Sequence, residues 1–200
     1  MERPGPILTF LILLATGCAK TPGAAPAPAV SPAPTATAPA PPPFTNQELA
    51  DELRRQGVGV PGPGQSPSEQ IPEITETPQG VTITLPHTLF AFDSFDLDAK
   101  ARRVVERIAY VLNHPRAANR VVVLQGHADS IGTEAYNLAL SRYRAETVAR
   151  ELIGQGVRRE RVTVEAYGET RPIAPNKHPD GTDNLAGRAK NRRVEAIIRN

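Results

Sequence analysis

The uneven distribution of proline restricts folding to one part of this 200-residue chain. The stretch from residue 21 to residue 43 contains nine of the 21 prolines together with eight alanines. Because it has too little apolar surface to offset the entropy of ordering its backbone, we interpret it as a linker biased to polyproline II. At about 3.1 Å per residue, such a linker extends over roughly 70 Å.

The residues before the linker have the pattern of a secretory signal peptide, which we place at residues 1–17. Its apolar run, residues 6–15, is too short for a bilayer core of about 30 Å, which needs roughly 20 residues. Small residues follow and lead to Cys18, the only cysteine, so an intrachain disulfide is excluded. The position of Cys18 resembles that of the lipidated cysteine in a bacterial lipobox. With Ala19 after it, the resemblance implies a lipidated N-terminus and an outer-membrane location. Residues 18–43 then comprise the lipidated N-terminus and the Pro/Ala-rich linker. The alternative is an ordinary signal peptide cleaved nearby, which leaves a free thiol.

The region from residue 44 to residue 80 is predicted to be a short helix followed by a spacer. Apolar residues recur at helical spacing at Phe44, Leu49 and Leu53, and Gly57 is a suitable stop. Residues 61–80 are rich in Pro, Gly, Ser and Glu, so we predict a loop there. Whether the helix docks on the main domain is left open by the sequence.

Residues 81–200 have the dense periodicity of one α/β domain. Strands are predicted over 81–85, ended or placed at an edge by Pro86, and over 121–124, 161–167 and 194–198. Helices are predicted from Asp98 to before Pro115 and from Thr133 to Gly154 or Gly156. The inward positions predicted for the second helix are Tyr136, Leu140, Val148 and Leu152. The order is βαβαββ, with helices packed on a mixed sheet.

Two opposite charges stand out in this domain. Asp129 follows the central buried strand, at the end where open α/β sheets commonly bind ligands. Arg144 lies fifteen residues later, about three turns into the helix predicted from Thr133. Spacing alone favours a structural ion pair between them, although both could instead flank a ligand.

The stretch "GHADSIGTEAYNLALSRYRAETV" resembles the OmpA-like peptidoglycan-binding domain. The resemblance continues in "LFAFDSFDLDAKAR", "YGETRPIAPN" and "GRAKNRRVEAII", in the same order, and covers residues 81–200. It implies an OmpA-like fold and non-covalent binding of peptidoglycan through the diaminopimelate of the stem peptide.

The resemblance also implies roles for individual residues. Asp129 is expected to take the ammonium of diaminopimelate and Arg144 its carboxylate. These roles suit an acceptor-only carboxylate and a bidentate guanidinium. Secondary contacts are expected from Asp93, Asn137 and Arg192, although Arg193 is the alternative to Arg192.

The whole chain is therefore predicted to be a lipid-anchored outer-membrane protein whose periplasmic domain tethers the membrane to the wall. The alternative is an interaction lipoprotein of a Tol–Pal-like envelope complex, in which protein partners matter more than peptidoglycan. A partner site would then lie within residues 44–80.

Other function classes fit the sequence less well. His127 stands two residues before Asp129, which could suggest a metal or acid–base site. It coincides with the strand-end motif of the family, and we interpret it as a packed turn residue. The other three histidines lie in loop or helix-end contexts, and no nucleophile with a base is recognisable. We predict no catalytic residues, no cofactor and no metal. A pI of about 8.9 could suggest nucleic acid, but the export signal and only 4% aromatic residues argue against it.

Overall fold

The structure is a computed structural model that describes residues 40–61, 71–89 and 96–200. The predictions for the signal peptide, Cys18, nearly all of the linker and Asp93 lie outside these residues. One compact unit, Pro39–Asn200, contains the described residues.

The described residues form four α-helices and five strands. The helices are α1 (Asn46–Arg55), α2 (Ala99–Leu112), α3 (Glu134–Gly154) and α4 (Leu185–Asn191). The strands are β1 (Glu73–Thr77), β2 (Gly80–Pro86), β3 (Val121–His127), β4 (Val162–Gly168) and β5 (Arg193–Arg199). The sheet order is β1-β2-β5-β3-β4, in which β3 and β4 are parallel and the other pairs are antiparallel. The predicted fold class, helices on a mixed sheet, is confirmed, and the short helix α4 is an addition to the predicted order.

The hydrophobic core joins the sheet to helices α1, α2 and α3. Each element contributes aliphatic side chains that are almost completely buried, such as Leu53, Ile83, Ile108, Leu124 and Leu152. With so few aromatic residues in the chain, it is aliphatic packing that fixes the helices on the sheet.

Local side-chain hydrogen bonds set the starts of the two long helices. Asp98 accepts from the Ala101 N–H at 2.7 Å, and Thr133 accepts from the Tyr136 N–H at 3.2 Å. Both N-caps satisfy backbone donors that have no partner inside the helix, and both residues stand at the helix starts predicted from the sequence. Pro86 ends β2 as expected, but β2 lies between β1 and β5 and is not an edge strand.

Helix α1 docks on the main domain. Leu49 and Leu53 are fully buried in the common core. The helix begins with a capping box in which Thr45 accepts from the Glu48 N–H at 3.1 Å and donates its own N–H to the Glu48 carboxylate at 2.8 Å. The same carboxylate accepts from Arg116 at 2.8 Å, so α1 is tied to the segment that follows α2.

The prediction of a loop throughout residues 61–80 was wrong for its second part. Strand β1 pairs antiparallel with β2 in a hairpin that turns between Thr77 and Gly80. Within β1 only Ile74 is apolar, and it is partly buried against the core. The strand is held by pairing with β2 more than by burial of its own side chains, and composition alone does not reveal such pairing.

The inward face predicted for α3 was partly wrong. Val148 and Leu152 are buried as expected, whereas Leu140 is half-buried and Tyr136 is 58% exposed. The buried row in the first half of the helix consists of Asn137 and Ser141, which are polar. Apolar periodicity misses this row because these two side chains form hydrogen bonds beside the candidate site.

Candidate functional site

Helix α3 lies unusually close to the end of β3 because of a glycine. A Cβ atom on Gly126 would stand 2.0 Å from the carbonyl oxygen of Ser141, so no other residue fits without a shift of the backbone. On β4, the Gly168 N–H donates to the Ser141 hydroxyl at 3.0 Å. The hydroxyl in turn donates to the Leu138 carbonyl at 2.9 Å. This close packing sets α3 beside the carboxyl end of β3.

Asp129 lies in the turn that follows β3, and it is 7% exposed. Its Oδ1 accepts from the Ile131 N–H at 3.1 Å. Its Oδ2 accepts from Arg192 Nη1 at 2.6 Å, which is the distance of a strong charge-assisted hydrogen bond. Arg192 lies 63 residues further along the chain, between α4 and β5. The tertiary fold therefore supplies Asp129 with a partner that sequence spacing did not suggest.

Arg144 on α3 is half-buried and lies within electrostatic range of Asp129 and Arg192. Burial lowers the pKa of its guanidinium, and the positive charge of Arg192 lowers it further. Tyr136 and the Asp129 carboxylate act in the opposite direction. An arginine remains protonated in such surroundings, so Arg144 adds a second fixed positive charge near Asp129.

Asn137 holds the turn that carries Asp129. This side chain is buried, and its Nδ2 donates to the Asp129 carbonyl at 3.0 Å and to Glu169 Oε2 at 2.6 Å. Sequence reasoning named Asn137 but not Glu169. The motif "YGET" contains Glu169, and its place directly after a strand is the one signal that could have drawn attention to it.

His87 is a further residue of the cluster that sequence reasoning placed in a loop without a role. The backbone N–H of His87 donates to the Arg192 carbonyl at 3.0 Å, and the imidazole Nε2 lies 3.3 Å from Arg192 Nη2. Burial lowers the pKa of His87 to about 4, with further lowering by Arg192 and Arg144 that Asp129 partly offsets. The imidazole is therefore neutral at pH 7, and in the tautomer that carries its proton on Nδ1, Nε2 accepts a hydrogen bond from Arg192.

The structure distinguishes Arg192 from Arg193. Arg193 is buried, and its Nε donates to Glu195 Oε1 at 2.7 Å while Nη2 donates to the Arg171 carbonyl at 3.3 Å. Arg192, by contrast, contacts Asp129. Of the adjacent pair, Arg192 is the one beside the site.

His127 is a packed residue, as interpreted from the sequence. It is 2% exposed and stacks on Tyr167 with ring centroids 5.5 Å apart. Burial and the charge of Arg193 lower its pKa to about 4, although Glu195 opposes this. Within residues 40–61, 71–89 and 96–200, no group of three or more His, Cys, Asp or Glu side chains is placed to hold a metal ion.

The cluster as a whole places the Asp129 carboxylate near two guanidinium groups, those of Arg192 and Arg144, with the neutral imidazole of His87 behind Arg192. A carboxylate accepts hydrogen bonds from an ammonium, and guanidinium groups donate pairs of hydrogen bonds to a carboxylate. A small ligand that carries an ammonium and a carboxylate on one carbon matches this arrangement.

Comparison with known proteins identifies the family. A model of the OmpA family matches residues 89–185. The chain is 34% identical over 200 residues to a peptidoglycan-associated lipoprotein of Legionella pneumophila, covering 96% of this chain and 92% of the relative. It is 35% identical over 150 residues to an outer membrane protein A of Bordetella avium, covering 74% of this chain and 73% of the relative. The chain therefore belongs to the OmpA family.

Solved structures share the fold. The cell wall anchor of the type VI secretion system (T6SS) from Pseudomonas aeruginosa superposes with a TM-score of 0.56 at 27% identity, covering 79% of this chain and 99% of the other. Relatives vary in length, and the chain spans only 14% of one curated relative that is 42% identical over 127 residues. The match to the family model includes Asp129, Asn137 and Arg144, whereas His87 and Arg192 lie just outside it. None of the helices in the described parts of the chain is long and apolar enough to cross a membrane.

Proposed function

We propose that this chain binds peptidoglycan non-covalently and tethers the outer membrane to the cell wall, without catalysing a reaction. The observation that carries the proposal is the placement of Asp129 beside Arg192 and within electrostatic range of Arg144. Such a group of fixed charges suits a zwitterionic ligand. The names of the relatives, a peptidoglycan-associated lipoprotein and an outer membrane protein, support the same function.

The ligand group in this proposal is the end of a diaminopimelate side chain, where an ammonium and a carboxylate share one carbon. Asp129 accepts from the ammonium, and the Arg144 fork donates to the carboxylate. Arg192 and Asp93 are secondary contacts. Asn137 acts by holding the turn that carries Asp129, through its hydrogen bond to the Asp129 carbonyl.

The anchor in this proposal is Cys18, lipidated after removal of residues 1–17. Several acyl chains hold a protein firmly in a membrane, whereas one chain binds only marginally. Each site binds weakly because the charges of its small ligand are well hydrated. Anchoring raises the effective concentration of the domain near the wall, and the many sites on the wall add avidity.

The test is co-sedimentation of residues 39–200 with purified sacculi that contain diaminopimelate. Asp129→Ala and Arg144→Ala are compared with wild type and with Arg142→Ala, a control that removes the same charge from an exposed position two residues earlier on α3. We expect wild type and the Arg142 variant to pellet with the sacculi, and the two site variants to remain in the supernatant while circular dichroism reports a folded protein. If wild type stays in solution, or if all four proteins pellet equally, the proposed binding site is wrong. In the first case, a role in binding envelope proteins becomes the better explanation.

A further inference from the structure

His87 and Asp129 hold the same arginine from two sides. Arg192 Nη1 donates to Asp129 Oδ2 at 2.6 Å, while Arg192 Nη2 lies 3.3 Å from His87 Nε2. The backbone adds a third contact, in which the His87 N–H donates to the Arg192 carbonyl at 3.0 Å. A guanidinium is planar, so two fixed partners on its two terminal nitrogens determine both its position and the orientation of its plane.

This arrangement affects any cation that approaches Asp129. Both carboxylate oxygens already accept one hydrogen bond each, from the Ile131 N–H and from Arg192. An incoming ammonium therefore has to share the Asp129 carboxylate with the Arg192 guanidinium, which carries the same charge, and like charges at such distances repel. A ligand that also carries a carboxylate next to its ammonium relieves this repulsion, because the carboxylate accepts from the arginines.

We propose that His87 is a positioning residue that holds Arg192 against Asp129 and thereby makes the site reject simple amines in favour of ligands with an ammonium and a carboxylate on the same carbon. The proposal rests on the proposed function for the identity of the ligand. Without the His87 acceptor, Arg192 turns away from Asp129 more easily. A ligand with an ammonium but no carboxylate then meets less repulsion from Arg192. A ligand with an ammonium and a carboxylate on one carbon loses Arg192 as a preoriented donor to its carboxylate. Both effects reduce selectivity.

The first measurement needs no ligand. Nitrogen-15 NMR of arginine side chains, on the full chain in detergent, reports how freely the Arg192 guanidinium rotates. We expect hindered rotation in wild type, faster rotation in His87→Ala, and hindered rotation again in His87→Gln, whose amide oxygen restores an acceptor. His178→Ala, which removes an exposed imidazole, serves as the control and should behave as wild type.

The second measurement compares two probes in which the two amines are equally far apart. These are meso-diaminopimelate and 1,5-diaminopentane, which lacks the two carboxylates. We expect the ratio of their affinities to fall by about tenfold in His87→Ala, the effect of one hydrogen bond to a charged group, and to be retained in His87→Gln and His178→Ala. A residue that only packs would change both affinities together and leave the ratio unchanged.

The outcomes separate the two proposals. An unchanged affinity ratio or an unchanged Arg192 rotation in His87→Ala overturns the role of His87, and so does a Gln variant that behaves like the Ala variant. If wild type binds neither meso-diaminopimelate nor sacculi, it is the proposed function that fails. In that case the proposed effect of His87 on ligand selectivity fails as well. The rotation of the Arg192 guanidinium still shows whether His87 positions this arginine.

Discussion

Replacing Gly126 with alanine should separate helix α3 from strand β3 and so disrupt the site without removing any charge. The added Cβ would stand 2.0 Å from the Ser141 carbonyl oxygen and 2.6 Å from its carbonyl carbon, whereas real Cβ contacts are essentially never below 3.0 Å. Both atoms belong to the backbone of α3, so no side chain can rotate to make room. The helix itself has to move by about 1 Å, against the close packing of the core.

The expected loss of stability follows from this geometry. Overpacking of a well-packed interior costs about 1–3 kcal/mol, and a backbone contact belongs at the upper end, at about 3 kcal/mol. For a domain of this size each kcal/mol corresponds to about 2–4 °C, so the melting temperature should fall by about 6–12 °C. Because Arg144 is carried by α3 and Asp129 by the turn after β3, sacculus binding should also weaken at temperatures where the variant is folded.

Gly154→Ala provides a matched control near the other end of α3. A Cβ at this position meets no atom within 4 Å. Alanine favours the helix over glycine by up to about 1 kcal/mol, so this variant should be as stable as wild type or slightly more stable. Thermal and urea unfolding of residues 39–200 measures both variants. A Gly126→Ala protein as stable as wild type would show that α3 can shift without loss, and it would refute the argument from close packing.

Two further predictions concern pH. The hydrogen bond from Arg116 is the largest of the interactions that lower the pKa of Glu48 to about 2. The stabilisation by this carboxylate is therefore complete above about pH 4.5 and is lost as the pH falls towards 2. Glu48→Gln should lower the melting temperature at pH 7, and the difference from wild type should disappear near pH 2; a difference independent of pH would contradict the ion pair. The pKa of His127 is lowered to about 4, so below pH 6.5 the unfolded chain binds a proton that the folded chain does not. Because of His127, wild type should be about 2 kcal/mol less stable at pH 5 than at pH 7, and His127→Leu should not show this part of the loss. Urea unfolding at both pH values measures it. An equal loss in both proteins would show that another group titrates.

The parts of the fold that the sequence predicts are those that local interactions determine. Asp98 and Thr133 cap their helices with their own side chains, so the signal and the structure involve the same few residues. The central strand β3 was recognised because a run of four apolar residues indicates burial on both faces of a sheet, and three of the four are buried, while Val121 at the start of the strand is exposed. Strand β1 lacks such a signal, since it depends on a neighbouring strand for its hydrogen bonds.

The candidate site was predicted only in part for a related reason. Asp129 and Arg144 lie within one continuous motif, and the resemblance to the family identified both. His87 and Glu169 join the cluster through contacts made over long stretches of chain. His87 lies in no pattern that distinguishes it from an ordinary loop residue, and the only signal for Glu169 is its place in the motif "YGET" directly after a strand. The resemblance named Asn137, but the burial of Asn137 and Ser141 as one polar row of α3 was missed, because periodicity arguments count apolar residues only.

The choice between Arg192 and Arg193 shows how the fold determines the chemistry of the site. Antiparallel pairing sets the end of β3 against the start of β5, with Gly126 opposite Val194, so residue 192 arrives beside the turn that carries Asp129. Successive residues of a strand point to opposite faces, and a shift of one residue would exchange the surroundings of the two arginines. That shift would also turn the buried side chains of β5, Val194, Ala196 and Ile198, away from the core. The burial of these three side chains therefore fixes the register that gives Asp129 its partner, and a substitution that weakens their packing should weaken ligand binding before the domain unfolds.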